Sequence, residues 1–362
     1  MKEAFVSRGP KVEIVDSPIP TPGPRQVLIR TIVSGSNPKD WKMSEYYGIE
    51  RFNTGDDIAG IVHSVGSEVV EFKPGDRVAA MHELGSPGGS YAEYSLSPVD
   101  TTFHIPKNIS FEEAATIPLA ALTAAVLLFR GLELPDVRST ESGTEKVPFV
   151  VYGAASAVGA FAIQLAQHRG IHPIIAVAGR GIPFAEKLLD KSQGDAMVDY
   201  RLGDDAVVAA IRTELHGAPV RYALDAVRAG KSYNNLAKIL DVTSPGAKLA
   251  LVLPLPGSTI TPADREAGHV APPDFPAEIT PVCLGVTVAQ NKSSSRDAEF
   301  GYIHSRLLGK GLADGWLKPH PHEVQPGGLD GLEKALENLK QGQASATKYV
   351  FRLADTGGAE PS

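Results

Sequence analysis

The chain has 362 residues, which is more than one hydrophobic core usually serves, so two domains are expected. A net charge of −7 without a basic run argues against nucleic acid or an anionic membrane as a partner, and the longest apolar run is too short to span a bilayer. The single cysteine, Cys283, excludes an internal disulfide framework and a multi-cysteine zinc site, and it favours a reducing cytoplasm.

Up to about residue 110 the sequence consists of short β-type runs that are interrupted by turn residues. No long helical period occurs there, so the pattern predicts an all-β barrel or sandwich. The predicted strands are VEIVDSPIP (12–20), QVLIRTIVSGS (26–36), IAGIVHSVGSEV (58–69) and DRVAAM (76–81).

A helix is predicted directly after this β region. Ser110 is a suitable N-cap, Glu113 stands where a capping box needs an acid, and the apolar run 114–129 continues the helix.

From residue 147 the sequence alternates between strand and helix patterns. PFVVYG is followed by the helical AVGAFAIQLAQHRG, and HPIIAVAG is followed by PFAEKLLDKSQG. Alternation at this spacing predicts a parallel, doubly wound sheet, so the fold class is α/β. After residue 287 the pattern is mixed, and it ends in an amphipathic helix (327–342) and a strand (347–353).

The segment VPFVVYGAASAVGAFAIQLAQHRG (147–170) has the strand, turn and helix layout of a dinucleotide-binding unit. A Gly-x-Gly-x-x-Gly fingerprint keeps only its last glycine here, but alanine and serine are small enough for close backbone approach. Because backbone N–H groups and the helix dipole bind phosphate, Ala154, Ser156 and Gly159 can serve, and Ser156 can add its hydroxyl. The turn alone also fits a structural βα connection. The predicted cofactor-binding residues of the turn are Ala154, Ala155, Ser156, Ala157, Val158 and Gly159.

The second strand of this region ends in Gly179 and Arg180, where an NAD site usually carries a carboxylate for the ribose 2′-hydroxyl. An arginine there pairs with a 2′-phosphate instead, which favours NADPH over NADH. Arg180 as an ordinary solvated loop residue is the alternative. Lys187 and Arg201 are weaker candidates for the same phosphate, and Tyr200 is placed near the adenosine unless it is simply a core or surface tyrosine.

The motifs in their order resemble the medium-chain dehydrogenase/reductase superfamily over nearly the whole chain. The resemblance implies a GroES-like β-barrel domain built from residues 1–124 and 287–362, a Rossmann domain of residues 125–286, and an active site in the cleft. The segments that carry it are GSNPKDWK, TGDDIAGIVHSVGSEVVEFKPGDRVAA, GGSYAEYSLSP, IPKNISFEEAATIPLAALTA, VVYGAASAVGAFAIQLA, VRYALDAV and GQASATKYVFRL.

Zinc alcohol dehydrogenases of that superfamily place a cysteine near Asn37, Gly-His-Glu at the positions of Gly55, Asp56 and Asp57, and a four-cysteine loop elsewhere. This chain lacks all of those ligands. It therefore resembles the zinc-free branch of quinone oxidoreductases and enoyl reductases. Its narrower likeness, carried by VRYALDAV, VDYR and the region of Thr123, is to fungal enoyl reductases that act in trans on a polyketide synthase.

The resemblance implies reduction of a conjugated double bond, with hydride passing from C4 of NADPH to the β-carbon and negative charge moving to the carbonyl oxygen. Lys42 matches an active-site lysine, so it is expected to donate to the developing enolate or to act as a positioning cation. Thr123 matches a threonine near the nicotinamide and is expected to donate to the substrate or to the cofactor. A surface lysine and a helix threonine bonded to its own backbone are the alternatives.

Further residues are expected at or near the site. Asn37, Tyr46 and Tyr47 are expected to line the substrate pocket, and Asn37 and Asp40 to fix the loop that shapes it. The histidines at 320 and 322 are interpreted as solvated loop residues. The remaining expected cofactor contacts are Leu253, Pro254 and Lys348.

Three functions remain open at the level of sequence. The first is an NADPH-dependent enoyl reductase that acts on a carrier-bound polyketide thioester, and the second is a stand-alone quinone or enone reductase on free small molecules. The third is a cofactor-binding protein without catalysis. The sequence leaves a monomer and a homodimer equally open.

Overall fold

In a computed structural model the chain forms two compact units, Met1–Leu122 with Thr287–Ser362, and Thr123–Val286. The described residues are 1–136, 146–243, 246–252, 275–291 and 294–359. The division lies inside one helix, at Thr123, whereas the sequence placed it at residue 125. We call the two parts unit 1 and unit 2.

The described residues form fifteen strands and nine α-helices. The strands are β1 (Lys2–Ser7), β2 (Lys11–Asp16), β3 (Gln26–Gly35), β4 (Asp57–Val65), β5 (Arg77–Met81), β6 (Tyr94–Pro98), β7 (Thr102–His104), β8 (Phe149–Tyr152), β9 (Ile174–Ala178), β10 (Ala196–Asp199), β11 (Tyr222–Asp225), β12 (Lys248–Leu251), β13 (Thr280–Val282), β14 (His322–Val324) and β15 (Lys348–Arg352). The helices are α1 (Pro38–Tyr47), α2 (Phe111–Ala114), α3 (Pro118–Ala125), α4 (Ala157–His168), α5 (Ile182–Ala185), α6 (Asp204–Glu214), α7 (Ser232–Ile239), α8 (Ser295–Asp314) and α9 (Leu332–Lys340).

Unit 1 is built on a seven-stranded sheet whose path runs β14-β15-β3-β4-β5-β7, with β6 paired to β3. All of its pairings are antiparallel except β14 with β15. The long strand β3 is mostly buried because it pairs with β15, β4 and β6, and its apolar residues Val27 and Ile29 pack with Ile58 and Val78. A separate two-stranded sheet joins β1 to β2. The predicted strands at 26–36, 58–69 and 76–81 are therefore confirmed as β3, β4 and β5.

Two helices of unit 1 have no counterpart in the predicted pattern. Helix α8 occupies the mixed region after residue 287, and α1 begins where a pocket loop was expected. The backbone N–H of Asn37, the N-cap of α1, donates to Asp40 Oδ2 at 2.6 Å, and Pro38 stands at the first helical position. Asn37 and Asp40 thus start a helix rather than fix a loop. The pattern missed it because the buried face of α1 includes charged residues, which hydrophobic periodicity does not count.

The predicted capping box before residue 114 is confirmed. The Glu113 N–H donates to Ser110 Oγ at 3.1 Å, and the Ser110 N–H donates to Glu113 Oε2 at 2.8 Å. The helix after it is interrupted, because Pro118 cannot donate to the preceding turn, and its last stretch, Val126–Gly131, winds as a π-helix. By length and composition Phe111–Gly131 could cross a membrane, contrary to the expectation from sequence, but 78% of its apolar window is buried in the protein, as in a core helix.

Unit 2 contains the expected doubly wound sheet. Its six strands are all parallel and run in the order β10-β9-β8-β11-β12-β13. The chain order reverses between β8 and β11, and a ligand of such a sheet binds outside the carboxyl ends of the strands at this switch point. The carboxyl ends there are Tyr152 and Asp225, which are partners in the β8–β11 register.

Candidate functional site

The turn after β8 lies at the switch point of unit 2 and depends on two glycines. Gly153 has a φ of +82°, and a Cβ added there would stand 2.5 Å from Val227 Cγ1, which follows β11. A Cβ on Gly159 would stand 2.3 Å from the carbonyl oxygen of Gly153. The fingerprint's last glycine is therefore needed for the close packing of α4 against the turn.

The hydrogen bonds of this turn correct the predicted phosphate donors. The N–H of Ala154 donates to the Val177 carbonyl at 3.0 Å, and the N–H of Ser156 donates to the Gly153 carbonyl at 2.9 Å. The N–H of Gly159 donates at 3.1 Å to Ser156 Oγ, whose own hydroxyl donates to the Gly153 carbonyl at 2.7 Å. These donors were expected to bind a pyrophosphate, but the protein already uses them, because Ser156 is the N-cap of α4.

The donors of the turn that have no acceptor within the described ranges are the N–H groups of Ala155, Ala157 and Val158. They stand at or just before the N-terminus of α4, a helix of 12 residues whose dipole favours an anion there. The turn thus fits a dinucleotide pyrophosphate through three backbone donors.

The end of β9 presents Gly179 and Arg180. A Cβ on Gly179 would lie 2.5 Å from Tyr200 Cε1, so the glycine makes room for that ring. Tyr200 is stacked on Tyr152 with ring centroids 6.2 Å apart, and burial together with the charge of Asp225 raises the pKa of Tyr152 to about 12. Arg180 is exposed immediately after the glycine.

The weaker candidates for a 2′-phosphate differ from Arg180 in their surroundings. Arg201 donates in bidentate fashion to Asp199, with Nη2–Oδ2 at 2.6 Å, so its guanidinium is already paired. Lys187 is exposed on a short 3₁₀ turn. The predicted nicotinamide contacts Leu253 and Pro254 lie outside the described residues.

Unit 1 contains a buried polar cluster around Asp57, the first residue of β4. Asp57 Oδ1 accepts from the backbone N–H of Leu119 at 2.7 Å. Asp57 Oδ2 accepts from Asn37 Nδ2 at 2.7 Å and forms an ion pair with the ammonium of Lys348. Lys348 Nζ also lies 3.3 Å from Asn37 Oδ1 and 3.4 Å from the Thr116 carbonyl oxygen. We call Asp57, Lys348 and Asn37 the Asp57 cluster.

The Asp57 cluster corrects two predicted site residues. Lys348 was expected to reach the cofactor and Asn37 to line the substrate pocket, but both side chains are buried and each polar end is bonded within unit 1. His320 is a third correction, since it is buried rather than solvated. Burial and the nearby Lys348 charge lower the pKa of His320 to about 3, so it is neutral at physiological pH.

A second buried cluster surrounds Lys39 on α1. Its ammonium lies 2.8 Å from Asp40 Oδ1 and forms an ion pair with Asp56. His82 Nδ1 lies 2.8 Å from Asp56 Oδ1, and the Tyr91 hydroxyl donates to Asp40 Oδ2 at 2.6 Å. We call these five residues the Lys39 cluster. Sequence motifs did not reveal it, because its members are scattered along the chain, although the neighbouring acids at 56 and 57 are a signal that buried cations are nearby.

The charges of the Lys39 cluster compensate one another. Burial alone would lower the pKa of Lys39, but Asp40 and Asp56 together raise it above its ordinary value. Burial raises the pKa of Asp40 despite Lys39, and burial with the neighbouring Asp40 raises that of Tyr91. For Asp56, Lys39 and His82 outweigh burial and lower the pKa. The cluster therefore holds the lysine charged and Asp56 ionised.

The positions at which the resemblance to zinc alcohol dehydrogenases would place zinc ligands belong to these two clusters. Asp56 is paired with Lys39, and both Asp57 and Asn37 are bonded to Lys348. Within the described part of the chain, no group of three or more His, Cys, Asp or Glu side chains could hold a metal ion. Lysine ammonium groups thus provide the positive charge beside these residues, and the set does not fit zinc.

The two predicted catalytic residues are both half-buried helix residues. Lys42 lies on α1, with its Nζ 5.6 Å from the centre of the Trp41 ring. Thr123 lies on α3 and is the first residue of unit 2. Tyr46 packs on Trp41 with centroids 5.6 Å apart, and both Tyr46 and Tyr47 are exposed at the end of α1. The roles of these four residues stay predictions.

The fold defines the class of protein. Residues 23–107 match the alcohol dehydrogenase GroES-like domain family, and unit 2 supplies a doubly wound parallel sheet. This combination is that of the medium-chain dehydrogenase/reductases, which are oxidoreductases and use a nicotinamide cofactor. The solved structure of CurK enoyl reductase superposes with a TM-score of 0.72 at 20% identity, and covers 96% of this chain and 98% of its own.

Curated relatives narrow the class to a family. The chain is 45% identical over 332 residues to trans-enoyl reductase fsr4 of Gibberella fujikuroi, which covers 91% of this chain and 92% of that protein. It is 31% identical to trans-enoyl reductase resD of Aspergillus sclerotiorum, with 97% and 100% covered. The chain therefore belongs to the fungal trans-enoyl reductases of the medium-chain dehydrogenase/reductase superfamily.

Proposed function

We propose that this protein is a zinc-independent, NADPH-dependent enoyl reductase that acts in trans on an α,β-unsaturated thioester carried by a polyketide synthase in the cytoplasm. The observation that carries the proposal is the 45% identity to a trans-enoyl reductase across 91% of the chain. The geometry of each unit is consistent with it in a different way.

The cofactor part of the proposal rests on unit 2. The N–H groups of Ala155, Ala157 and Val158 offer donors to the pyrophosphate at the N-terminus of α4. Arg180, the second residue after β9, supplies a cation for the 2′-phosphate that distinguishes NADPH from NADH. Gly179 lets the Tyr200 ring approach the end of β9, beside the proposed adenosine position.

The catalytic part rests on Lys42 and Thr123. When bound, NADPH would supply the hydride for the β-carbon. Lys42 provides an ammonium that stabilises the negative charge growing on the thioester oxygen, and its place on α1 fixes where that charge is met. Thr123 provides a hydroxyl donor that orients the substrate or the nicotinamide amide. The cation and the hydroxyl donor that this chemistry uses are therefore side chains of the protein.

Zinc independence rests on the two buried clusters. Alcohol oxidation in zinc enzymes needs a Lewis acid, whereas an enolate oxygen can be stabilised by an ammonium or a hydroxyl. Asp56 and Asp57 are each paired with a lysine, so a zinc ion would have to displace two buried ammonium groups.

The test follows NADPH oxidation with a carrier-bound enoyl thioester, a simple enone and an ortho-quinone, using the wild type and Lys42→Ala. We expect the thioester to be reduced fastest, and Lys42→Ala to lower kcat on it by about 10²-fold, as the loss of one oxyanion donor does, with NADPH affinity retained. Lys107→Ala, which removes an exposed lysine of unit 1, is the matched control and should turn over normally.

Each of the other possible results would contradict a different part of the proposal. Faster turnover of the quinone or enone would make it a stand-alone reductase of free small molecules. NADPH binding without turnover of any substrate would make it a non-catalytic binding protein. Wild-type turnover in Lys42→Ala would remove Lys42 from the mechanism.

A further inference from the structure

One buried carboxylate in unit 1 contacts the first turns of two different helices. Asp57 Oδ1 accepts at 2.7 Å from the N–H of Leu119, the second residue of α3. Asp57 Oδ2 accepts at 2.7 Å from the side chain of Asn37, the N-cap of α1. Asp57 itself begins β4 and is fully buried, so it is held by the sheet rather than by either helix.

The two helices carry the two proposed catalytic residues. Thr123 follows Leu119 by four residues, so it lies one turn further along the same face of α3. Lys42 follows Asn37 by five residues and lies in the second turn of α1. At a rise of about 1.5 Å per residue, each of these side chains lies only about 6 to 8 Å along its helix from the residue that Asp57 contacts. Over so short a helical segment, a shift of the helix start moves the side chain by nearly the same amount.

The buried Asp57–Lys348 ion pair is better explained by a role in fixing the geometry of its neighbours than by a contribution to the stability of the fold. A carboxylate at the N-terminus of α3 interacts favourably with the helix dipole, and Lys348 neutralises it inside the protein. Buried ion pairs seldom stabilise a fold more than apolar residues of similar size would. Their fully paired, charge-assisted hydrogen bonds do fix geometry, since each oxygen of Asp57 has a defined donor.

We propose that Asp57, neutralised by Lys348, is a positioning residue that sets the starts of α1 and α3 and thereby the placement of Lys42 and Thr123. This inference rests on the proposed enoyl reduction. It gives the Asp57 cluster a function in the reaction that does not require its members to touch the substrate.

The test compares two double variants that both remove the buried charges. Asp57→Asn with Lys348→Met keeps an oxygen for the Leu119 N–H, and its amide N–H can donate to Asn37 Oδ1 in place of the lost lysine donor. Asp57→Leu with Lys348→Met offers neither bond. We expect the Leu/Met variant to lose at least about tenfold in kcat on the thioester, with KM and NADPH affinity within about twofold, because small misplacements of catalytic groups are costly. The Asn/Met variant should regain most of that turnover.

Controls separate positioning from stability. Thr101→Val removes a buried hydrogen bond to the Met81 carbonyl elsewhere in unit 1, so it should lower the melting temperature and leave kcat unchanged. If the Leu/Met variant does not fold, Asn37→Ala removes the bond from α1 to Asp57, together with the contact to Lys348, and leaves the bond to Leu119 in place. We expect a similar loss of kcat. Wild-type turnover in the Leu/Met or Asn37→Ala variant would overturn the proposal, as would equal slowness of the two double variants.

The proposed function can fail separately. If the wild type reduces no enoyl substrate, amide hydrogen exchange still reads the positioning directly. The first turns of α1 and α3 should then exchange faster in the Leu/Met variant than in Asn/Met or Thr101→Val. Equal exchange in all three variants would show that Asp57 does not set these helix starts.

Discussion

The buried clusters of unit 1 and the turn after β8 in unit 2 organise their polar groups in opposite ways. In unit 1, charged side chains are buried and bonded to one another, as in the Lys39 and Asp57 clusters. In unit 2, the turn after β8 has small side chains, and its polar surface is backbone N–H. A ligand can use donors that the protein leaves without acceptors, so the turn is suited to ligand binding. The polar groups of the clusters are already bonded to one another, so the clusters are suited to fixing the positions of helices.

This difference explains why two motif residues were misassigned. Asn37 and Lys348 are residue types that often contact ligands, and they stand in segments that match the family. Their side chains are nevertheless committed to Asp57. A residue's type shows what it can bond to, but only its neighbours show whether that capacity is already used.

The largest expected effect follows from breaking the Lys39 cluster. Lys39→Met leaves the carboxylates of Asp40 and Asp56 buried without their shared cation, and removing one partner of a buried pair costs about 3–5 kcal/mol. We expect a large fall in the unfolding free energy in urea. In the wild type burial raises the pKa of Asp40 and Lys39 opposes this, so removing Lys39 should raise that pKa further. The folded variant then binds a proton more readily than the unfolded chain, and the deficit should shrink as pH falls from neutrality.

An exposed pair serves as the control for that variant. Lys11 donates to Glu333 at 2.8 Å, but its side chain is largely exposed. Lys11→Met should unfold like the wild type, because water already solvates both charges. If Lys39→Met were equally innocuous, unit 1 would not depend on its buried charges, and the contrast with unit 2 would disappear.

The sequence predicted the architecture better than the site. Strands such as β3 and β8 and the alternation in unit 2 follow from hydrophobic periodicity, which reports burial directly. Helix α1 escaped because its buried face includes Lys39 and Asp40, and periodicity counts such residues as exposed. The burial of His320 escaped for a related reason, since long-range packing and not its local sequence encloses it.

The turn after β8 in unit 2 shows that a local sequence motif predicts position better than it predicts hydrogen bonding. Its position was predictable from the strand, turn and helix pattern, and Gly159 was recognisable as the fingerprint's last glycine. Which N–H groups remain for a ligand was not, because Ala154 donates to Val177 on a neighbouring strand. That bond depends on the pairing of β8 with β9, which a local motif does not contain.

A smaller effect should follow from adding one methyl group to the turn. Gly159→Ala places a Cβ only 2.3 Å from the Gly153 carbonyl oxygen, which is backbone and cannot swing away as a side chain can. Overpacking of this kind costs about 1–3 kcal/mol, and the displaced turn should also weaken NADPH binding. Denaturant unfolding and calorimetric titration with NADPH measure the two effects.

The control for Gly159→Ala is Gly23→Ala in unit 1. The nearest atom to a Cβ there is Gln26 Oε1 at 3.1 Å, at the end of a flexible side chain. This variant should keep both its stability and its NADPH affinity. Unchanged NADPH affinity in Gly159→Ala would mean that the turn does not hold the cofactor. The turn of unit 2 would then no longer differ from the clusters of unit 1 by binding a ligand.

The smallest expected effect concerns the one charged side chain assigned to the cofactor in unit 2. Arg180→Ala should weaken NADPH binding by about tenfold, the equivalent of ~1.4 kcal/mol for a charge-assisted contact at an exposed position, and should leave NADH binding unchanged. Thermal shift with each cofactor measures this selectivity, and Lys187→Ala, the exposed weaker candidate, should keep it. Equal protection of the wild type by NADPH and NADH would show that Arg180 does not read the 2′-phosphate. Binding in unit 2 would then depend on its backbone donors alone, which would make its contrast with the charged clusters of unit 1 complete.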